Sequence, residues 1–80
     1  MSAPGVFNLR VLNPDKMVFE GEISSLFLEG DTGEFEILPY HYPVLSLLKP
    51  GRMIIDWRYY IPLKKGLVRF FMNECVVIIE

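Results

Sequence analysis

Residues 22–38 read EISSLFLEGDTGEFEIL, and the reading of this stretch decides the fold. At its centre Gly30-Asp31-Thr32-Gly33 places a glycine at each end of two small polar residues, the composition of a tight turn. After the turn, Phe35 and Ile37 alternate with Glu34 and Glu36, which is the period of a half-buried strand with its acids facing out. Before the turn, Leu26 and Leu28 share one parity and Ile23 lies on the other, so a β-bulge is expected near Ser24 and Ser25. Two strands joined by a short turn are predicted, and nothing in the stretch has the period of a helix.

The pattern extends outward in both directions. Upstream, VFNLRVL (6–12) sets Phe7, Leu9 and Val11 against Asn8 and Arg10, and Asn13-Pro14-Asp15-Lys16 reads as a turn leading to Met17, Val18 and Phe19. Downstream, Pro39 ends the strand and the segment Tyr40–Pro43 is a loop, because each proline removes a donor and restricts its predecessor. VLSLL (44–48) is a further apolar run that Lys49-Pro50-Gly51 is expected to turn. RMIIDW and YYIPL form a hairpin turning near Asp56 to Arg58, with Pro62 marking an edge or a bulge. Lys64-Lys65-Gly66 and Asn73-Glu74 are read as turns around LVRFFM, and CVVIIE (75–80) as a strand buried on both faces. About eight to ten short strands, with turn signals roughly every 8 to 12 residues and no amphipathic helix, predict one all-β domain over 1–80, a flattened sandwich or a barrel.

Composition limits what such a domain does. Eighty residues, 51% of them hydrophobic, support one small core, and chains of this size gain from a partner surface. A formal net charge of -2 argues against nucleic acid as a partner, since phosphate backbones call for a basic stripe. Residues 1–40 carry seven acids against two bases and residues 41–80 six bases against three acids, so the folded halves either present opposite signs or interleave and mix them. The single cysteine, Cys75, excludes an internal disulfide and metal-ligand spacing. No apolar run is long enough to span a bilayer, and the start MSAPGVF lacks an export pattern, so a soluble, unexported chain is expected.

Catalytic groupings are scarce. His41, the only histidine, is the only general-base candidate, and its surroundings offer no nucleophile: Ser46 lies in an apolar run, and Glu34 and Glu36 are separated from it by Pro39 and a turn. A histidine that fixes its own loop through backbone groups, or that meets a partner, fits better. Cys75 reads as a small buried hydrophobe. Tyr40, Tyr42, Trp57, Tyr59 and Tyr60 fall in two loop or turn regions where so small a core cannot cover them all, as in a docking surface or in loops packed on their own sandwich.

The order of landmarks then resembles a known family. Phe19-Glu20-Gly21, a strand closed by glycine, the turn Gly30 to Gly33, the segment Ile37-Leu38-Pro39-Tyr40-His41-Tyr42-Pro43 and a leucine-rich run closed by Pro50-Gly51 follow one another as in the N-terminal β-sandwich domain of the epsilon subunit of rotary F-type ATP synthases, called delta in mitochondria. YIPLKKGLVRF and ECVVIIE resemble its last strands more weakly. The resemblance implies a non-catalytic central-stalk subunit that couples the gamma subunit to the membrane c-ring during ion-driven ATP synthesis. It implies no cofactor, no metal and no lipid anchor, and peripheral attachment at the cytoplasmic face of a bacterial membrane. By residue, it implies that Asn13, His41, Tyr42 and Ser46 face gamma and that Asp31, Thr32 and Glu34 face the c-ring.

Departures from the family pattern accompany the match. Glu36 and Tyr40 stand where glycine is common, Tyr42 where alanine is usual, and Lys64-Lys65 where a small pair precedes Gly66. The sequence ends at Glu80, so the two C-terminal helices usual in the family are not expected in it. Two other readings stay open at this point: a small cupin-like β-barrel enzyme using His41 with Glu34 or Glu36 on a metal, and a free-standing interaction module. Metal analysis separates the first from the rest: the stalk reading expects no stoichiometric zinc, iron or manganese in the purified protein, and finding one would favour the enzyme.

Overall fold

The computed structural model describes residues 5–80; Met1–Pro4, part of the start read as lacking an export pattern, lie outside the described residues. Eight strands run in chain order: β1 (Phe7–Leu12), β2 (Met17–Ile23), β3 (Leu26–Gly30), β4 (Gly33–Ile37), β5 (Val44–Ile55), β6 (Tyr59–Leu63), β7 (Gly66–Phe71) and β8 (Glu74–Ile79). They form one sheet in the order β2-β1-β8-β7-β5-β3-β4, with β6 on β5. The domain is all-β, as expected, and it folds this sheet over into two layers.

The fold-over happens in β5. Its first half, Val44 to Leu48, pairs with β7, while Gly51 to Ile55 pairs with β6, and Met53 to Ile55 also with β3. One layer is therefore β2-β1-β8-β7 with the first half of β5, and the other is β6, the second half of β5, β3 and β4. The expected turn at Lys49-Pro50-Gly51 is thus absent: a continuous 12-residue strand passes through it. Pro50 donates no hydrogen bond, and it falls where the ladder with β3 skips from Gly30↔Leu48 to Leu28↔Met53. The Glu29 carboxylate fills the gap, accepting the Arg52 amide at 2.6 Å. Gly51 leaves the room, because a Cβ there would meet that carboxylate.

Each layer contains strands from both halves of the sequence, so the uneven charge is mixed rather than displayed as two faces. Arg52 bridges to Glu29 at 3.5 Å and to Glu34 at 3.3 Å. Between the layers lies one core that draws on every strand, including Phe7, Leu9, Ile23, Leu28, Ile37, Met53, Leu63, Val68, Phe70 and Val77. Phe7 and Phe70 meet edge to face at 5.3 Å. The first and last strands are zipped in parallel, Asn8↔Glu74 through Leu12↔Ile78, so this layer closes only when both ends of the domain are in place.

Other expectations are corrected by strand pairing. Ser24 and Ser25 form no bulge: the chain breaks there and crosses from β2 in one layer to β3 in the other, which is why the parity changes. The last turn is Met72–Asn73, both at positive φ, rather than Asn73-Glu74, because Phe71 pairs directly with Glu74. CVVIIE is not buried on both faces. Cys75, Val77 and Ile79 point inward, Val76 is half-buried and Ile78 is exposed, since β8 is hydrogen-bonded on both edges but covered on one face only. The hairpin at Asp56 to Arg58 and the edge position of Pro62 stand as read.

Asp56 fastens the crossing at Ser24-Ser25. One carboxylate oxygen accepts the Ser24 amide (2.7 Å), the Ser25 amide (3.0 Å) and the Ser24 hydroxyl (3.1 Å), while the Asp56 amide donates to the Ser25 carbonyl (2.9 Å). Partial burial opposes its charge, but the two amides, the hydroxyl and the nearby Arg58 outweigh it and hold the carboxyl below its ordinary 3.8. Because the folded value is the depressed one, its stabilisation is present above the unfolded value and is lost as pH falls through the folded one. Asp56→Asn keeps the left-handed turn, where Asn is tolerated, and removes the charge. In urea unfolding the variant is expected to be roughly 1 kcal/mol less stable than the parent at neutral pH, and the difference should shrink as pH falls through the depressed folded value of Asp56.

Candidate docking surfaces

No catalytic grouping assembles around the residues considered for one. The His41 ring packs edge-on against Phe70 and Tyr42, and its Nδ1 donates to the Tyr42 carbonyl at 2.9 Å. Glu36 accepts the Trp57 indole N–H at 2.8 Å and Glu34 accepts from Arg52, so both acids are engaged with their own layer instead of standing free in solvent. Among the described residues no three His, Cys, Asp or Glu side chains are grouped to hold a metal ion. Cys75 is buried, and desolvation pushes its thiol up to about 12, away from any nucleophilic role.

The loop from Leu38 to Pro43 is fixed by its own backbone. The His41 amide donates to the Leu38 carbonyl at 3.1 Å, with Pro39 and Tyr40 as the central pair and Tyr40 at φ 65°. That is the position of a type II turn where glycine is favoured, which accounts for the glycine common in the resembling family. Tyr40 occupies it with strain, and the Asn73 side chain holds it by accepting the Tyr40 amide at 2.7 Å. Tyr40 is 72% exposed and Tyr42 83%, and Tyr40 stands beside Met72 and Asn73.

The residues assigned to gamma by resemblance do not form one cluster. Asn13 lies at the opposite end of β1 from the Met72–Asn73 turn, and its side chain is occupied by its own loop, accepting the Asp15 and Lys16 amides at 2.8 Å each. The adjoining Pro14 lines a hollow of about 560 Å³ together with Asp31, Leu47, Lys49, Lys65 and Glu80. Thr32 and Glu34 line a smaller hollow with Ser46, whose hydroxyl donates to the Leu47 carbonyl. Asp31, Thr32 and Glu34 all reach solvent to some degree, and the Asp31 amide is tied to the Leu47 carbonyl at 3.0 Å. His41 and Tyr42 are thus at one end of the sandwich, the Asn13 and Asp31 turns near the other, and Ser46 between.

The two outer faces differ in chemistry. On the layer of β6, β5, β3 and β4, Trp57 packs at a tilt against Phe27 (5.2 Å), Arg52 lies over the same ring (5.5 Å), and Glu29, Glu34 and Glu36 accept from Arg52 and Trp57. The acids of that face are engaged within the layer, while Trp57, Tyr59 and Tyr60 are each more than half exposed, as the sequence reading of uncovered aromatic residues expects. The layer of β1, β8, β7 and the first half of β5 instead carries, straight across four strands, the row Leu12, Ile78, Leu67, Leu47. Sequence reasoning misses this row. Its only trace is that VLSLL and CVVIIE are apolar at both parities, a pattern that reads as burial.

Residues 6–80 match the model of the ATP synthase delta/epsilon chain β-sandwich domain. The ATP synthase epsilon chain of a Nitratiruptor species is 42% identical over 48 residues, 60% of this chain and 37% of that one. That of Chlorobaculum tepidum is 38% identical over 52 residues, 65% of this chain and 59% of that one. The matched stretch therefore spans between about a third and three fifths of the length of these relatives. Among solved structures, a chain of the Euglena gracilis mitochondrial ATP synthase (OSCP/F1/c-ring) superposes with a TM-score of 0.84 at 13% identity, covering 99% of this chain and 53% of that one. A chain of the Tetrahymena thermophila mitochondrial ATP synthase central stalk/c-ring gives 0.75 at 16% identity, covering 90% and 61%. At such identities the two superpositions establish the fold.

Strain at Tyr40 generates a test. Tyr40→Gly should raise stability by roughly 1 kcal/mol in urea unfolding by relieving the left-handed backbone. A loss of stability would mean that packing of the tyrosine ring outweighs the strain.

Proposed function

This chain belongs to the family of ATP synthase delta/epsilon β-sandwich domains, and we propose that it works as a non-catalytic rotor subunit of a rotary F-type ATP synthase. In this role it joins the gamma subunit to the c-ring during ion-driven ATP synthesis. It sits peripherally at the cytoplasmic face of a bacterial membrane and is held there by protein contacts rather than lipid. The observation that carries the reading is the match over residues 6–80, nearly the whole chain. The mechanics agree with it. A close-packed sandwich whose layers share β5 resists shear between them, which suits a part that must pass torque without slip.

The family resemblance supplies two contact regions. The loop that displays Tyr42 beside His41 is stiffened by backbone hydrogen bonds and by Asn73, and it is assigned to gamma together with Asn13 and Ser46. The exposed β3–β4 turn with Asp31 and Thr32, next to Glu34, is assigned to the polar loops of the c-ring. Gly33, at φ 134°, closes that turn in a backbone region a side chain rarely adopts, and its partner Gly30 is packed against the Phe35 ring. The cupin-like alternative is not supported, since His41 and the two glutamates each have other partners.

The double variant His41→Ala/Tyr42→Ala should keep the β-type circular dichroism of the parent and lose co-purification with gamma by about tenfold or more, as removal of interface aromatic groups does. Undiminished co-purification would count against the assignment of this loop.

A further inference from the structure

Asn73 is placed to decide the form of the loop from Leu38 to Pro43. The bond from the His41 amide to the Leu38 carbonyl closes the turn but does not select its type, because type I and type II turns share it. The ring of Pro39 fixes φ near the value that both types use at their first central position. What separates them is the peptide between Pro39 and Tyr40, which is rotated by roughly half a turn from one type to the other. Its N–H is the group that Asn73 Oδ1 accepts, at 2.7 Å.

Strain and hydrogen bond act in opposite directions on that peptide. At φ 65° Tyr40 is in the left-handed region, and a type I turn would return it to an ordinary negative φ. A tyrosine therefore favours type I, the acceptor on Asn73 favours type II, and the two effects are of the same order. The acceptor is itself held in place. The Asn73 carbonyl takes the Asn8 amide at 3.0 Å, Phe71 pairs with Glu74 across the Met72–Asn73 turn, and φ 60° at Asn73 is a conformation that asparagine tolerates.

The C=O of a trans peptide points opposite to its N–H, so the Pro39 carbonyl is turned away from Asn73. Among the described residues nothing donates to it. We propose that Asn73 is a latch that sets the hydrogen-bonding sense of this loop: by holding the Tyr40 N–H it keeps the Pro39 carbonyl directed away from the β7–β8 turn as an acceptor, and the partner of the loop supplies the donor. In the type I form the Tyr40 N–H would stand in that place, and the partner would need an acceptor instead. Asn73 is a positioning residue, acting through the peptide it holds. The latch is a property of the free chain; the donor requirement rests on the stalk reading, in which the partner is gamma.

Nuclear magnetic resonance of the free chain tests the latch. The parent should show the strong Overhauser contact between the Pro39 α-proton and the Tyr40 amide proton that marks a type II turn. Asn73→Gly keeps a residue suited to the left-handed backbone and removes the acceptor. It should lose that contact and exchange the Tyr40 amide at least about tenfold faster. Asn73→Asp retains an acceptor and should behave as the parent. In Tyr40→Gly/Asn73→Gly the glycine at position 40 needs no latch, and the contact should return. An Asn73→Gly chain that keeps both the contact and the protection overturns the proposal. So does a double variant without the contact, since a disturbed β7–β8 turn would then be the cause. Binding to gamma is read separately: Asn73→Gly should weaken it about three- to tenfold, the loss of one hydrogen bond, and Asn73→Asp should not. If the turn changes form and gamma binds every variant alike, the latch stands and the donor requirement falls.

Discussion

Everything in this small domain depends on one strand serving two layers. β5 is hydrogen-bonded to β7 along its first half and to β3 and β6 along its second, and the passage between them runs through Lys49 to Arg52. A proline without an amide, a glycine without a Cβ and the Glu29 carboxylate on the Arg52 amide let the ladder skip there without leaving that amide unsatisfied. Because the same backbone is covalently continuous across both layers, one cannot slide over the other without breaking either ladder. A sandwich of 80 residues gains from this a rigidity that its limited core would not supply alone.

Rigidity at the core is matched by local strain at the rim. Tyr40, Asp56, Trp57, Met72 and Asn73 all adopt positive φ. At Asp56 and Trp57 the side chains offset the strain, since one fastens the Ser24-Ser25 crossing and the other packs at a tilt against Phe27 and bonds Glu36. At Tyr40 only the hydrogen bond from its backbone amide to the Asn73 side chain is gained, and the ring itself is left in solvent. Strain retained where the side chain does nothing for the fold points to a role outside it. The two outer faces differ as well, one displaying aromatic residues beside engaged acids and the other a leucine row.

Much of the fold was legible from alternation and turn chemistry. Strands β1 and β4, the Gly30 to Gly33 turn, the hairpin at Asp56 and the edge role of Pro62 follow from two-residue periodicity and from residues that restrict φ or remove a donor. What failed did so for a common reason. Lys49-Pro50-Gly51 carries the residues of a turn, but whether such a segment reverses the chain or merely bends it depends on whether Leu48 and Met53 both find partners on β3. The parity change at Ser24-Ser25 was visible, but its meaning, a crossing between layers, required Asp56, a residue far along the chain. Of the candidate contacts, Tyr42 is exposed, whereas the Asn13 side chain accepts amides of its own loop, a difference that only the structure reveals.

By itself the sequence determined that the chain is an all-β unit with few chemical groups, that its glycines and prolines punctuate it into short strands, and that its landmarks stand in the order of a particular family. These are local properties, set by the φ/ψ limits of single residues and by alternation over a few positions. Which face of β8 is covered and which leucines adjoin across four strands were decided only by tertiary structure. Those facts arise from pairing residues such as Leu12 with Ile78 and Leu47 with Leu67, and hydrogen-bond register between distant segments is not written in the hydrophobicity of either one.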